Sequence, residues 1–145
     1  MVTGYGKKVL EYKQMDAKKR VLIVEDDQFL REFYQELLES EGMTVDVAPE
    51  GETAFNKIHE GGYDLILLDI MLPKKDGLQI LREIKVNPAV KANGPIVILT
   101  NIGQDAIIKN CFEAGAAGYM IKSALNPDQV LQEIHNYLQI SNLIT

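Results

Sequence analysis

Short aliphatic runs recur along the chain, each followed by a stretch with helical spacing, and this alternation limits the fold more than any other feature. Val21 to Val24 is a continuous aliphatic run, and Asp27 then stands where it can cap a helix. That helix carries Phe29, Leu30, Phe33, Tyr34, Leu37 and Leu38 at helical spacing until Gly42 stops it. Met43 to Ala48 alternates as a strand, and Pro49 to Glu60 reads as a helix closed by Gly61-Gly62. Leu65 to Leu68 is a third strand, and Leu78, Leu81 and Ile84 mark a helix after Gly77. Ile96 to Leu99 follows turns at Asn87-Pro88 and Asn93-Gly94-Pro95, and Gln104 to Glu113 reads as helix up to Gly115. Tyr119 to Ile121 is a short strand. Asn126-Pro127-Asp128 opens a last helix with Val130, Leu131, Ile134 and Leu138 on its buried side. Strands apolar on both faces, separated by helices, imply an α/β fold: a doubly wound parallel sheet of five strands with five helices.

Length allows one such domain: 145 residues hold a single core but no second full domain. The expected division is a basic extension over residues 1–19, the domain over 20–140 and a tail over 141–145. Cys111 is the lone cysteine, which excludes an internal disulfide framework and a multi-cysteine zinc site within the chain. It reads as a buried side chain; His59 and His135, one of them expected to be exposed, have no nearby ligand partners in sequence. No apolar run approaches the ~20 residues needed to span a bilayer, and the lysine-bearing start lacks a signal peptide's apolar stretch. The expected location is cytoplasmic, without membrane contact. The formal charge is −6, unevenly spread. Residues 1–20 hold six basic groups against two acidic ones, whereas the remaining 125 hold nine basic and 19 acidic, a net −10. An acidic body of this kind is not expected to bind nucleic acid directly, because phosphates must be met by positive charge.

In an open parallel sheet, ligands sit beyond the carboxyl ends of the strands. There the sequence places Glu25, Asp26 and Asp27 after the first strand, Asp69 after the third, Thr100 after the fourth and Lys122 after the fifth. Carboxylates converging on one rim repel one another unless a divalent cation sits among them, and an all-oxygen donor set suits Mg²⁺. Thr100 supplies a hydroxyl donor and Lys122 a mobile positive charge that can pair with a phosphoryl oxygen. Metal, carboxylate nucleophile, hydroxyl and ammonium together suit phosphoryl transfer. The plainer readings are that Asp69 caps a turn, that Glu25 and Asp26 merely begin a helix, that Thr100 and Lys122 have no chemical duty, and that Tyr119 only packs.

The run Val21–Val24 with Glu25-Asp26-Asp27, the run Asp64 to Asp69 with Met71, Pro73 and Asp76-Gly77, Ile98-Leu99-Thr100, and Ala117-Gly118-Tyr119-Met120-Ile121-Lys122 together resemble the signature of the response-regulator receiver domain, which implies a flavodoxin-like, CheY-like fold. The resemblance covers residues 20–140. It implies that Asp69 accepts a phosphoryl group from the phosphohistidine of a histidine kinase or phosphotransfer protein. It further implies that Asp26, Asp69 and the backbone carbonyl of Met71 hold Mg²⁺, with Glu25 acting through water. Thr100 and Lys122 would grip the phosphoryl oxygens, and Tyr119 would change rotamer with the state. The chain would then act in a two-component phosphorelay by contact with a downstream protein effector, catalysing only its own phosphorylation and dephosphorylation. A receiver fragment or pseudo-receiver serving as a constitutive interaction module is the alternative.

Two departures from the family pattern stand out. Ser123 follows the lysine where proline is common, and a cis bond before a non-proline residue costs about 2.5–4 kcal/mol, so Lys122–Ser123 is expected to be trans. Asn101 occupies a position after the threonine that is usually very small. A haloacid-dehalogenase-type phosphatase is disfavoured because its second aspartate would fall at Met71, and a flavin carrier because acids follow the first strand. Ala117 and Gly118 precede Tyr119 where winged-helix regulators place an acidic pair, so a monomer or weak dimer is expected, and not their symmetric dimer.

Overall fold

The computed structural model describes residues 19–101, 103–123 and 126–144. Apart from Lys19, the basic stretch expected at residues 1–19 lies outside the described residues. In chain order the elements are β1 (Arg20–Val24), α1 (Gln28–Ser40), β2 (Thr44–Ala48), α2 (Gly51–Glu60), β3 (Leu65–Asp69), α3 (Gly77–Val86), β4 (Ile96–Thr100), α4 (Asp105–Glu113), β5 (Gly118–Ile121) and α5 (Pro127–Ile144). The five strands form one sheet in the order β2-β1-β3-β4-β5, every neighbouring pair parallel. α5 runs on to Ile144, into the stretch expected as a tail.

Burial follows from position in the sheet. All five residues of β3, at its centre, are buried. The edge strand β5 alternates between buried and exposed side chains, as a strand covered on one face does. Along the inner strands successive side chains feed two separate cores. Leu22, Val24, Ile66, Leu68 and Ile98 pack with Ile58 of α2, Ile80 of α3 and Cys111 of α4. Val21, Ile23, Leu65, Leu67, Val97, Leu99 and Met120 pack on the other face with Tyr34 and Leu38 of α1 and with Val130, Ile134 and Leu138 of α5. Truncating a fully buried Leu67 to alanine is expected to cost about 2–5 kcal/mol.

Local chemistry sets the helix ends. The Asp27 side chain accepts a hydrogen bond from the Leu30 amide at 2.9 Å, capping α1 as the sequence suggests. Asp76 and Gln79 cap α3 reciprocally, and Asn126 and Gln129 do the same at the start of α5. Several boundaries differ from expectation. Met43 precedes β2, because its amide still donates to the Leu38 carbonyl of α1 through the turn that Gly42 makes at φ 85°. Pro49 and Glu50 precede α2, whose N-cap, Glu50, is extended. Gln104 is the N-cap residue of α4 and not its first turn. The peptide bonds of the described residues are all trans, Lys122–Ser123 included.

Candidate functional site

The chain leaves β1 through α1 to one side of the sheet, then crosses from β2 to β3 on the other side, so strand order reverses between β1 and β3. Ligands favour the crevice at such a switch point. Val24 pairs with Leu68 across these strands, so the next residue on each, Glu25 and Asp69, ends the pair at the crevice. β4 adds Thr100, which is level with Ile121 of β5 and so one residue short of Lys122.

Lys122 ties the site together. Its ammonium donates to Asp69 Oδ2 at 2.7 Å and stands 2.7 Å from Glu25 Oε1. The second approach is off the hydrogen-bonding direction, so Oε1, fully buried, is met by charge but lacks an aligned donor. Glu25 Oε2 accepts weakly from the Asp27 amide at 3.4 Å. On Asp69, Oδ1 accepts from the Met71 amide at 2.9 Å. Asp26 lies exposed beside this buried pair. One carboxylate oxygen from each of Glu25, Asp26 and Asp69 lies within 4.8 Å of the others.

Among the described residues the Lys122 ammonium is the cation paired with this group of three carboxyls, which leaves a surplus of negative charge. Burial, aided by the hydrogen bond with Asp69 and opposed by Lys122, pushes the Glu25 carboxyl up to about 8. Burial also pushes Asp69 upward, but hydrogen bonds from Glu25, Lys122 and the Met71 amide outweigh it and hold this carboxyl below its ordinary value. Burial lowers Lys122, and the two carboxylates more than reverse that, keeping it charged. Asp69 is therefore an ionised, desolvated carboxylate, and Glu25 retains a proton near neutrality while no cation is bound. An orphaned buried oxygen among hard donors fits a divalent cation of the Mg²⁺ type.

Glu25, Asp26, Asp69 and Lys122 thus come together as expected. Thr100 is buried, and its hydroxyl donates to the Asn101 carbonyl at 3.2 Å, a partner next to it in sequence. Met71 and Tyr119 are exposed, and Tyr119 packs edge-on against Phe112 of α4 at 6.3 Å between ring centres. Cys111 is fully buried, as expected. Both histidines are half-buried, contrary to the expectation of an exposed one, and His59 stacks on Phe55 at 5.8 Å because one turn of α2 separates them.

Sequence reading assigned no site role to three residues that shape the site. Arg31 of α1 donates through Nη1 to the carbonyls of Glu25 at 3.0 Å and Asp26 at 3.3 Å. Tyr34 is buried, its hydroxyl pushed up by burial and then by the Glu25 charge. Gly77 seats the loop after Asp69: a Cβ there would lie 2.8 Å from both the Asp69 carbonyl oxygen and the Ile70 Cα. An arginine five and six residues after an acidic pair, in the first turn of the helix that follows it, was a readable signal for the first. No helix among the described residues is long and apolar enough to cross a membrane.

Residues 21–135 match the family model described as the response regulator receiver domain. The chemotaxis protein CheY of Halobacterium salinarum is 37% identical over 109 residues, covering 75% of this chain and 88% of that protein. The transcriptional regulatory protein ResD of Bacillus subtilis is 35% identical over 120 residues, covering 83% of this chain and 48% of that one. Among solved structures, the receiver domain of sensor histidine kinase PA1611 from Pseudomonas aeruginosa, with a magnesium ion coordinated in its active-site cleft, is similar with a TM-score of 0.71 at 26% identity. That match covers 83% of this chain and 98% of the other. The chain spans less than half the length of three of its curated relatives.

Proposed function

Because the chain belongs to the family of response-regulator receiver domains, we propose that it is a phosphoacceptor whose Asp69 takes a phosphoryl group from the phosphohistidine of a histidine kinase or phosphotransfer protein. A carboxylate oxygen of Asp69 forms the new P–O bond as the P–N bond breaks, and the imidazole leaves with the electron pair. The observation that carries this reading is the state of Asp69: buried, held ionised, and faced by one ammonium at 2.7 Å. Mg²⁺, held by Asp26, Asp69 and the Met71 carbonyl, with Glu25 acting through water, would neutralise charge on the phosphoryl oxygens.

The chain's own residues do the rest. Phosphorylation of Asp69 replaces its carboxylate charge with that of the phosphoryl group, so the Lys122 ammonium turns to the phosphoryl oxygens. The Thr100 hydroxyl gives up only its local bond to Asn101 to join them. Tyr119, half-exposed against Phe112, takes the space that Thr100 vacates, and the surface of α4, β5 and α5 changes. A downstream protein effector reads that surface in the cytoplasm, and the acidic body leaves nucleic acid alone. The protein acts as a signalling module that promotes only its own phosphorylation and dephosphorylation. The domain proper is residues 20–140, and the basic arm is dispensable for the chemistry, since β1 begins at the end of the sheet opposite Asp69.

The test is incubation with acetyl phosphate, with and without Mg²⁺, followed by intact mass. One added phosphoryl group that needs Mg²⁺ is expected. An adduct that forms equally in chelator overturns the reading.

A further inference from the structure

Arg31 stands on the first turns of α1, yet its side chain reaches back past the helix start to the backbone of the loop that carries two of the three clustered carboxylates. One nitrogen, Nη1, lies 3.0 Å from the Glu25 carbonyl oxygen and 3.3 Å from that of Asp26. An arginine Nη carries two hydrogens, so a single terminal nitrogen can serve both carbonyls, and the planar guanidinium fixes the angle between them. Few other bonds hold this loop. The Glu25 amide donates to the Ala48 carbonyl at 3.2 Å, and the Asp27 side chain is spent on capping α1. The Asp26 side chain is exposed, and the peptide planes on either side of it set where its Cα–Cβ bond points.

We infer that Arg31 is a positioning residue for divalent-cation binding: by clamping the carbonyls of Glu25 and Asp26 it aims their carboxylates at Asp69. This rests on the phosphoacceptor reading above. It makes a prediction of opposite sign to simple electrostatics. A cation beside an acidic cluster competes with Mg²⁺, so charge alone says that removing Arg31 tightens Mg²⁺ binding. Positioning says that removal weakens it, as loss of groups that orient metal ligands does, by about 10–100-fold.

The experiment is a calorimetric titration of the full chain with Mg²⁺ alone, for the parent, Arg31→Met and Arg31→Lys, with urea unfolding of each run in parallel. Arg31→Met is expected to bind Mg²⁺ at least about tenfold more weakly. Arg31→Lys, whose ammonium can still donate to both carbonyls, is expected to recover part of the affinity. Amide NMR signals of Asp26 and Asp27 should shift in Arg31→Met even without metal. Should Arg31→Met bind Mg²⁺ as tightly as the parent or more so, the inference is overturned, whatever its stability. If Arg31→Met is too unstable to titrate, Arg31→Lys decides: parental affinity together with unmoved Asp26 and Asp27 signals overturns it, and weakened affinity supports it. Failure of the parent to bind Mg²⁺ would instead sink the phosphoacceptor reading along with this one, whereas phosphorylation in the parent with unchanged affinity in the variants sinks this one alone.

Discussion

Replacing Lys122 with methionine keeps most of the side chain's length and removes the ammonium that, among the described residues, faces Glu25 and Asp69. The lysine side chain is 11% exposed and its partners are 0% and 1% exposed, so the change leaves a buried carboxylate without a counter-ion. Removing one member of a buried pair costs about 3–5 kcal/mol. Glu25, already pushed up to about 8, keeps its proton at pH 7 and still shields Asp69, which places the loss at the lower end, about 3 kcal/mol. With a urea slope of roughly 1–3 kcal/mol/M, the unfolding midpoint should fall by about 1–3 M. Mg²⁺ should reverse this. It takes over the missing positive charge, and a ligand present at about 100 times its dissociation constant returns about 2.7 kcal/mol. Lys122→Met should also bind Mg²⁺ more tightly than the parent, since the competing cation is gone. The assay is urea unfolding followed by far-ultraviolet circular dichroism, in chelator and in saturating Mg²⁺. A variant within about 0.5 kcal/mol of the parent in chelator, the spread of ordinary surface substitutions, would refute the pairing argument. So would equal stabilisation of variant and parent by Mg²⁺.

Without metal, stability should depend on pH through Glu25. Its folded-state value of about 8 lies above the ordinary 4.5, so the folded chain binds the extra proton between these limits. The contribution is whole below about pH 4.5 and is lost as pH rises to 8, so chemical unfolding at pH 5 and pH 8 should show the parent less stable at the higher value. Glu25→Gln should flatten that slope; an equally steep slope in the variant would assign it to another group. Gly77→Ala should lower stability by about 1–3 kcal/mol and the thermal midpoint with it, because the new methyl carbon meets the backbone of Asp69 and Ile70. A variant as stable as the parent would mean the loop yields freely. Thr100→Ala, compared with the parent in amide NMR with and without beryllofluoride, should lose the shift changes across β5 that the parent shows. Identical changes in both would place the signal's exit elsewhere.

Much of this architecture was legible because a parallel sheet buried on both faces demands aliphatic runs. Leu65 to Leu68 and Ile96 to Leu99 carry that demand in their composition alone, and the carboxyl-end rule then located Asp69, Glu25 and Lys122. Element edges were less legible, since they depend on which backbone groups find partners. Met43 is tied to the end of α1 by its bond to Leu38, a contact that periodicity does not encode. The roles of Arg31 and Gly77 escaped for a related reason. Each acts on the main chain of a neighbouring loop, so its residue type is dictated by carbonyl positions and clearance that exist only once the loops are folded. Likewise, the division of protons between Glu25 and Asp69 follows from burial, which pushes both carboxyls up, and from their unequal donors, which reverse it only at Asp69. Asp69 gathers the Met71 amide and an aligned Lys122, while Glu25 Oε1 gathers charge without an aligned bond.

The central claim, that Asp69 carries the phosphoryl group, is tested most directly by mapping the modified residue. After reaction with acetyl phosphate and Mg²⁺, borohydride reduces an aspartyl phosphate to homoserine, and peptide sequencing by mass spectrometry reads its position. Homoserine at 69 alone, with no conversion in Asp69→Asn, is the predicted result. Conversion at Asp26, or undiminished phosphorylation of Asp69→Asn, would contradict it.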